Sequence, residues 1–134
     1  MNREQAIEYL RSNHRGVLAT LKQNGRPQLS NISYLYDTDD RVKISLTADR
    51  VKTRNIKRDP RVSMLVIGDN WYQYIVVEGM GTILEDNPLA DLRHVYEGIT
   101  GAPHPNWQEY DEAMVRDRRV VLSIEIEKMY PLED

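Results

Sequence analysis

Six basic residues stand between Thr47 and Val62 in TADRVKTRNIKRDPRV: Arg50, Lys52, Arg54, Lys57, Arg58 and Arg61. The chain has 18 Lys and Arg against 21 Asp and Glu, a formal net charge of −3. A third of its basic residues therefore sit in one short segment of an acidic protein. The preceding KISLT reads as a strand that runs straight into a helix from about Arg50 to Arg58. Asp49 is placed to cap that helix, and Pro60 ends it. Free backbone N–H groups and the helix dipole favour an anion at such a start. Arg50 and Lys52 occupy the first turn, where the dipole alone would place acids, so they are unfavourable unless an anion offsets them. The bland alternative is a solvated basic face, and residue type and position leave the two readings level. Nucleic acid would want a broader basic surface with stacking aromatics, and this segment has no aromatic residue.

Other chemistry is harder to find. His14, His94 and His104 lack the short spacing of a helical metal site, and no His-Glu-x-x-His occurs. No metal centre is expected. The absence of cysteine removes disulfides, thiolate nucleophiles and iron–sulfur sites. There is no G-x-S-x-G, no dinucleotide fingerprint and no phosphate-binding loop of the Walker type. DTDD reads as a turn. No catalytic side chain can be assigned, so an enzyme of this composition would take its chemistry from a cofactor.

The elements that would position such a cofactor are mostly strands. Asn2 and Gln5 form a capping box for a first helix, with Ala6, Ile7 and Leu10 on one face. VLATL is a strand, Asn24-Gly25 signals a hairpin, and a second strand runs from about Gln28 to Tyr36. RVKISLT alternates as a half-buried strand. RVSMLVI, WYQYIVVEG and MGTIL follow as strands, with Gly79 and Gly81 marking a bulge or close backbone approach. Asn87-Pro88 opens one helix and Asn106 with Glu109 opens another. The last strand, RRVVLSIEIEKMY, places Val120, Leu122, Ile124 and Ile126 on one side. Six or seven antiparallel strands in 134 residues suggest a small closed barrel, because closure removes edges.

Length allows one domain, residues 1–134. The charged N-terminus is unlike a signal peptide, and no apolar run approaches the roughly 20 residues of a membrane span. A cytoplasmic protein is the expectation. Eight Tyr and two Trp with no Phe suit half-wet surfaces such as a dimer groove.

GVLATLKQNGRPQLSNISYLYD, followed by ISLTADRVKTRNIKRDPRVSMLV, closely resembles the pyridoxamine phosphate oxidase-like split β-barrel superfamily. Within it the chain looks like the actinobacterial flavin/deazaflavin oxidoreductases, B-type subgroup, that use coenzyme F420. YIVVEGMGTIL and MVRDRRVVLSIEIEKMY fit the same pattern, so the resemblance spans about Tyr9 to Tyr130. The order T/S, two residues, R-x-K-x-x-N and then D-P-R carries most of its specificity.

The resemblance implies a mostly β fold, an FMN-binding split β-barrel with flanking helices. It implies homodimers whose cofactor grooves lie between barrels, with no nucleic acid or membrane partner. Carried onto this chain, Arg50, Lys52 and Asn55 would contact the phosphate and carboxylate tail, with Val51 in the same run. Ser45, Leu46 and Thr47 would pass beside the ring and ribityl chain. Arg26, Pro27, Gln28 and Asn31 would line the ring side, and Tyr72 and Tyr74 would reach across from the partner subunit. The implied activity is hydride transfer from reduced F420 to a conjugated small molecule such as an enone, alkene or tetrapyrrole-like compound. The proton would come from solvent or a nearby hydroxyl, with Tyr34, Tyr36, Tyr72 and Tyr74 as candidates by type. An FMN-dependent oxidase of the same fold and a non-catalytic F420 or flavin carrier are the alternatives.

Overall fold

Period-two patterning sets the architecture. In Arg41–Thr47 the side chains of Val42, Ile44 and Leu46 are buried, while their neighbours are only half-buried. Arg61–Ile67 repeats this with Val62, Met64 and Val66. Each strand thus turns one apolar face inward. The computed structural model describes residues 1–133. Its elements are α1 (Arg3–Ser12), β1 (Arg15–Leu21), β2 (Pro27–Ser33), β3 (Leu35–Tyr36), β4 (Arg41–Thr47) and α2 (Val51–Arg58). They continue with β5 (Arg61–Ile67), β6 (Tyr74–Leu84), α3 (Leu89–Thr100), α4 (Trp107–Arg116) and β7 (Arg119–Tyr130). The seven strands form one antiparallel sheet in the order β2-β1-β5-β6-β7-β4-β3. It curls into a split barrel, with the helices flanking it.

Closure is where the structure departs from the expected closed barrel. The run from Gln28 to Tyr36 is not one strand. It breaks at Tyr34, whose backbone N–H donates to His14 O (2.8 Å) and whose hydroxyl donates to Leu10 O (2.8 Å). That side chain is wholly buried. The chain bends there, so β2 pairs only with β1 while β3 pairs only with β4. β2 and β4 then lie near each other without a shared ladder, and the seam between them is the split.

The turn chemistry largely follows the sequence. Asn2 and Gln5 make the reciprocal capping box, and Asn106 accepts from the Glu109 amide. The β1–β2 link is a turn in which Gly25 N donates to Lys22 O (2.9 Å) and Gly25 adopts φ +86°. It is thus a type I turn closed by a left-handed glycine rather than a two-residue hairpin. Trp71 to Gln73 are turn residues, and the two expected strands after them are a single strand from Tyr74 to Leu84. A bulge interrupts its pairing with β7 between Glu78 and Gly79. There Glu78 faces Lys128 and Gly79 faces Ile126, which leaves Glu127 as the extra residue. The side-chain alternation flips at that point, so Ile124 and Met129 both reach the core. A Cβ on Gly79 would lie 2.1 Å from Glu125 O, which only glycine avoids. The helix after Asn87-Pro88 begins one residue late, at Leu89 with Pro88 as its N-cap.

Two hydrophobic clusters result. The larger fills the barrel and includes Leu18, Ile44, Leu46, Met64, Ile75 and Leu122. The smaller seats α3 and α4 on the outer face of β7, through Leu92, Val95, Tyr110 and Val121. That second layer explains why Val120 to Ile124 are all buried, although alternation alone predicts one solvent face. Asp37 ties α3 to the sheet: Lys43 Nζ lies 2.8 Å from its carboxylate and His94 Nε2 2.9 Å. Burial would raise the Asp37 pKa, but these partners prevail and lower it to about 2.

Candidate cofactor groove at the barrel seam

The inner face of α2 is built for anchorage. Thr53, Asn55 and Ile56 are its buried residues. Thr53 Oγ1 donates to Thr47 O at 2.8 Å, locking the strand end to the helix start. The Asn55 amide donates to Thr20 Oγ1 (3.1 Å) and Gln28 Oε1 (3.2 Å), and its oxygen accepts from Arg58 (3.1 Å). This fastens α2 to β1 and β2 beside the seam. Asn55 is only 3% exposed, so it positions the helix and Gln28 rather than offering a free donor to a ligand.

The start of α2 differs from expectation in one respect. Its N-cap is Arg50, not Asp49, and no side chain caps the first turn. A guanidinium cannot accept from backbone N–H groups, so the helix opens without a protein acceptor. No acid lies in that turn. Lys52 reaches back over the seam, its Nζ 3.4 Å from Ser30 Oγ on β2. Burial lowers the Lys52 pKa, and the nearby charges of Arg50 and Arg119 push it the same way. Arg119 starts β7 and pairs in register with Thr47. Among the described residues its Nε is a buried polar atom with no hydrogen-bond partner. Three cations thus converge, none of them in an ion pair with a described carboxylate, an arrangement that is costly unless an anion joins it.

The surrounding surface is concave. A cavity of about 390 Å³ is bounded on its polar side by Asn31, Ser33, Ser45, Lys52 and Arg119. Its opposite wall, from α3 and α4, is apolar: Leu92, Val95, Tyr96, Ile99 and Met114, with Tyr110. Tyr96 is held edge-on by Trp107 (5.9 Å, 75°) and Tyr110 (5.3 Å, 62°). Through Arg119 this cavity adjoins a groove of about 550 Å³ at Thr47, Arg50 and the α4–β7 turn. Through Asn31, Ile32 and Ser33 it adjoins another of about 410 Å³ on the outer face of β1 and β5, beside Val17, Leu65 and Ile67. An apolar trough ending in convergent cations suits a ring system attached to an anionic chain.

Of the residues expected at a cofactor site, Asn31, Ser45 and Lys52 line the central cavity, and Thr47 and Arg50 line the next. Val51 is exposed at the helix start. Leu46 points into the barrel core, since only its neighbours Ser45 and Thr47 share the outward face. Arg26 and Pro27 are exposed at the hairpin end and line none of these cavities. Tyr72 on the β5–β6 connection and Tyr74 at the start of β6 are exposed, outside this chain's own cavities. Tyr9 pins that connection: its hydroxyl donates to Gln73 O (2.8 Å) and accepts from Gly68 N (2.5 Å). Tyr34 and Tyr36 cannot serve as proton donors in the groove. Tyr34 is committed to Leu10, with its phenol pKa raised mainly by burial. Tyr36 donates to Asp40, and burial with that bond pushes its pKa up to about 12. Sequence reading missed Ser30, Arg119 and the α3–α4 wall. Only the β4–β7 register, pairing Thr47 with Arg119, brings the last strand to the cations of α2.

The fold and groove together define a split-barrel protein with a seam suited to a phosphorylated, ring-bearing cofactor. The orphaned Arg119 Nε and the uncapped α2 start fit the phosphate, and the apolar wall fits the ring. The chain belongs to the pyridoxamine 5'-phosphate oxidase family, whose model matches residues 3–133. This is a family of flavin-binding split-barrel oxidoreductases. Among solved structures, the conserved hypothetical protein Rv2991 of Mycobacterium tuberculosis is similar at 26% identity and TM-score 0.77, over 96% of this chain and 82% of that one. A protein described as an F420 reductase is also 26% identical, with TM-score 0.71 over 92% of this chain and 94% of that one. General Stress Protein 26 of Bacillus anthracis shares the fold at 20% identity and TM-score 0.67, over 97% and 93% of the two chains. Among the described residues no helix is long and apolar enough to cross a membrane.

Proposed function

We propose that this protein is an F420-dependent reductase, acting as a homodimer on a conjugated organic substrate such as an enone, alkene or tetrapyrrole-like compound. The observation that carries the reading is the unpartnered Arg119 Nε beside Lys52 and the open start of α2. These groups hold a phosphodiester, while the apolar α3–α4 wall excludes water from the ring. The similarity to an F420 reductase over nearly the full length of both chains supports the deazaflavin. When bound, the reduced deazaflavin supplies a hydride from C5. The chain's part is to bind, align and dry the reacting pair, a proximity effect. Ser45, Asn31 and Ser33 give polar contacts along the trough. The Tyr110 hydroxyl is donated to Leu92 O (2.9 Å), so the proton would come from water or from another donor lining the cavity, the Tyr96 hydroxyl among them.

The homodimer reading draws on surface. Val17, Leu65, Ile67 and Val76 lie on the outer face of the sheet rather than in the core, and Leu29 nearby is 65% exposed. Trp71 and Tyr72 project from a connection anchored by Tyr9, 71% and 89% exposed. A second copy that covers this face would bring its aromatics to the groove. Sedimentation as a monomer at working concentration would remove that part of the proposal.

The alternatives are an FMN-dependent oxidase and a non-catalytic cofactor carrier. Anaerobic mixing of the protein with reduced F420 and a panel of enones separates them. A reductase restores the absorbance of oxidised F420 in step with loss of the enone. A carrier binds the cofactor and leaves it reduced, and tight FMN binding without F420 binding would favour the oxidase.

A further inference from the structure

The basic residues of α2 and its flank are not equally free. Lys57 pairs with Glu85 at 2.7 Å and Arg61 with Asp59 at 2.7 Å. Arg58 donates to Leu21 O (2.5 Å) and to Asn55, and Arg54 donates to Asp49 O (3.0 Å). Each is engaged with the protein. By contrast, the side chains of Arg50, Arg118 and Arg119 make no ion pair with any described residue. These three line the groove of about 550 Å³ at the α4–β7 turn, together with Arg116. Asp49 and Asp117 also line it, and Asp117 takes only a 3.4 Å contact from Arg116. The turn is held against the start of α2 by Ala48 N donating to Arg118 O (2.9 Å). Arg118 itself adopts φ +54°, which fixes its position beside Arg119.

Resting on the deazaflavin reading above, we infer that the carboxylate tail of the cofactor leaves the phosphate site through this second groove. It runs along Arg50, Arg118 and Arg116 rather than down the outer face of α2. The groove shares Arg119 with the central cavity, so a chain leaving a phosphate held at Arg119 would meet it next. Arg50 and Arg118 have no acidic partner among the described residues and are free to take carboxylates, and Arg116 would give up only its 3.4 Å contact with Asp117, whereas Lys57 and Arg61 would first have to release ion pairs of 2.7 Å. The ligand class is a flexible oligocarboxylate, and the cofactor's γ-linked glutamates are such a chain.

Binding of F420 bearing one glutamate and F420 bearing several should be compared in the wild type, in Arg116→Ala/Arg118→Asn and in Lys57→Ala/Arg61→Ala. Asn replaces Arg118 because it tolerates the left-handed backbone. The longer tail should bind roughly five- to tenfold tighter in the wild type, as two charge-assisted surface contacts would give. That gain should vanish in the first double variant, persist in the second, and fade as salt is raised. Equal affinity for both tail lengths, or a gain lost only in the α2 variant, overturns the route. Failure of the wild type to bind either form overturns the deazaflavin reading itself, and the tail route with it.

Discussion

Replacing Arg119 with methionine should improve the fold while it damages the site. Arg119 holds a guanidinium nitrogen in a buried position with no acceptor, and Lys52 and Arg50 stand nearby. An unsatisfied buried polar group costs about 1–3 kcal/mol. Methionine keeps most of the stem's packing and removes both that penalty and one like-charge contact. The ligand-free variant should therefore be more stable by about 1 kcal/mol, a rise in Tm of about 3–5 °C for a chain of this size. Cofactor affinity should move the other way. A charge-assisted hydrogen bond to phosphate contributes about 1.5–3 kcal/mol, so Kd should rise roughly tenfold to a hundredfold. Thermal unfolding without ligand and a fluorescence titration with F420 read the two effects separately. A variant with lower Tm and unchanged affinity would refute the reasoning, because Arg119 would then be a structural residue.

Three further outcomes follow from the geometry. Asn55→Ala should lower stability by about 1–3 kcal/mol in denaturant unfolding, since it strands Thr20 and Gln28 beside the seam; a loss of cofactor affinity with an unchanged unfolding midpoint would contradict its anchoring role. Gly79→Ala should destabilise by about 3 kcal/mol or prevent folding, because its Cβ would meet the Glu125 carbonyl at 2.1 Å with no side chain able to yield; a native midpoint would show that the bulge is more pliable. Asp37 has its pKa depressed to about 2 from an unfolded value of 3.8, so its contribution, roughly 2 kcal/mol, is intact above pH 4 and lost as pH falls from about 4 to 2. In Asp37→Asn that acid-dependent step should be missing from a plot of stability against pH, and an unchanged acid limb would assign the step to other carboxylates.

Much of the fold was legible because its signals are local. The Asn2–Gln5 box, the Asn106 cap and the alternation of β4 and β5 each depend on neighbours in sequence, and the bulge, although it lies in the pairing with β7, was marked by Gly79 itself. What escaped depends on distant partners. Tyr34 breaks its strand because Leu10 and His14 offer acceptors to it. Val121 is buried because α3 and α4 cover it. Asp49 looked like a cap by residue type, yet Thr53 seizes the Thr47 carbonyl and the helix starts one residue later, at Val51. The site shows the same division. The cations Arg50 and Lys52 at the start of α2 could be read from a strand running into a basic helix. Arg119 could not, since nothing in its own segment marks it until β7 pairs with β4. Asn55 could be placed near the site by resemblance, but its burial shows it holding α2 in position.

The most direct test of the central claim is a crystal structure of the protein with F420 bound. The account predicts phosphate oxygens within hydrogen-bond distance of Arg119 Nε, Lys52 Nζ and the first backbone amides of α2, with the ring against the α3–α4 wall. A phosphate seated elsewhere, leaving Arg119 Nε without an acceptor, would contradict it.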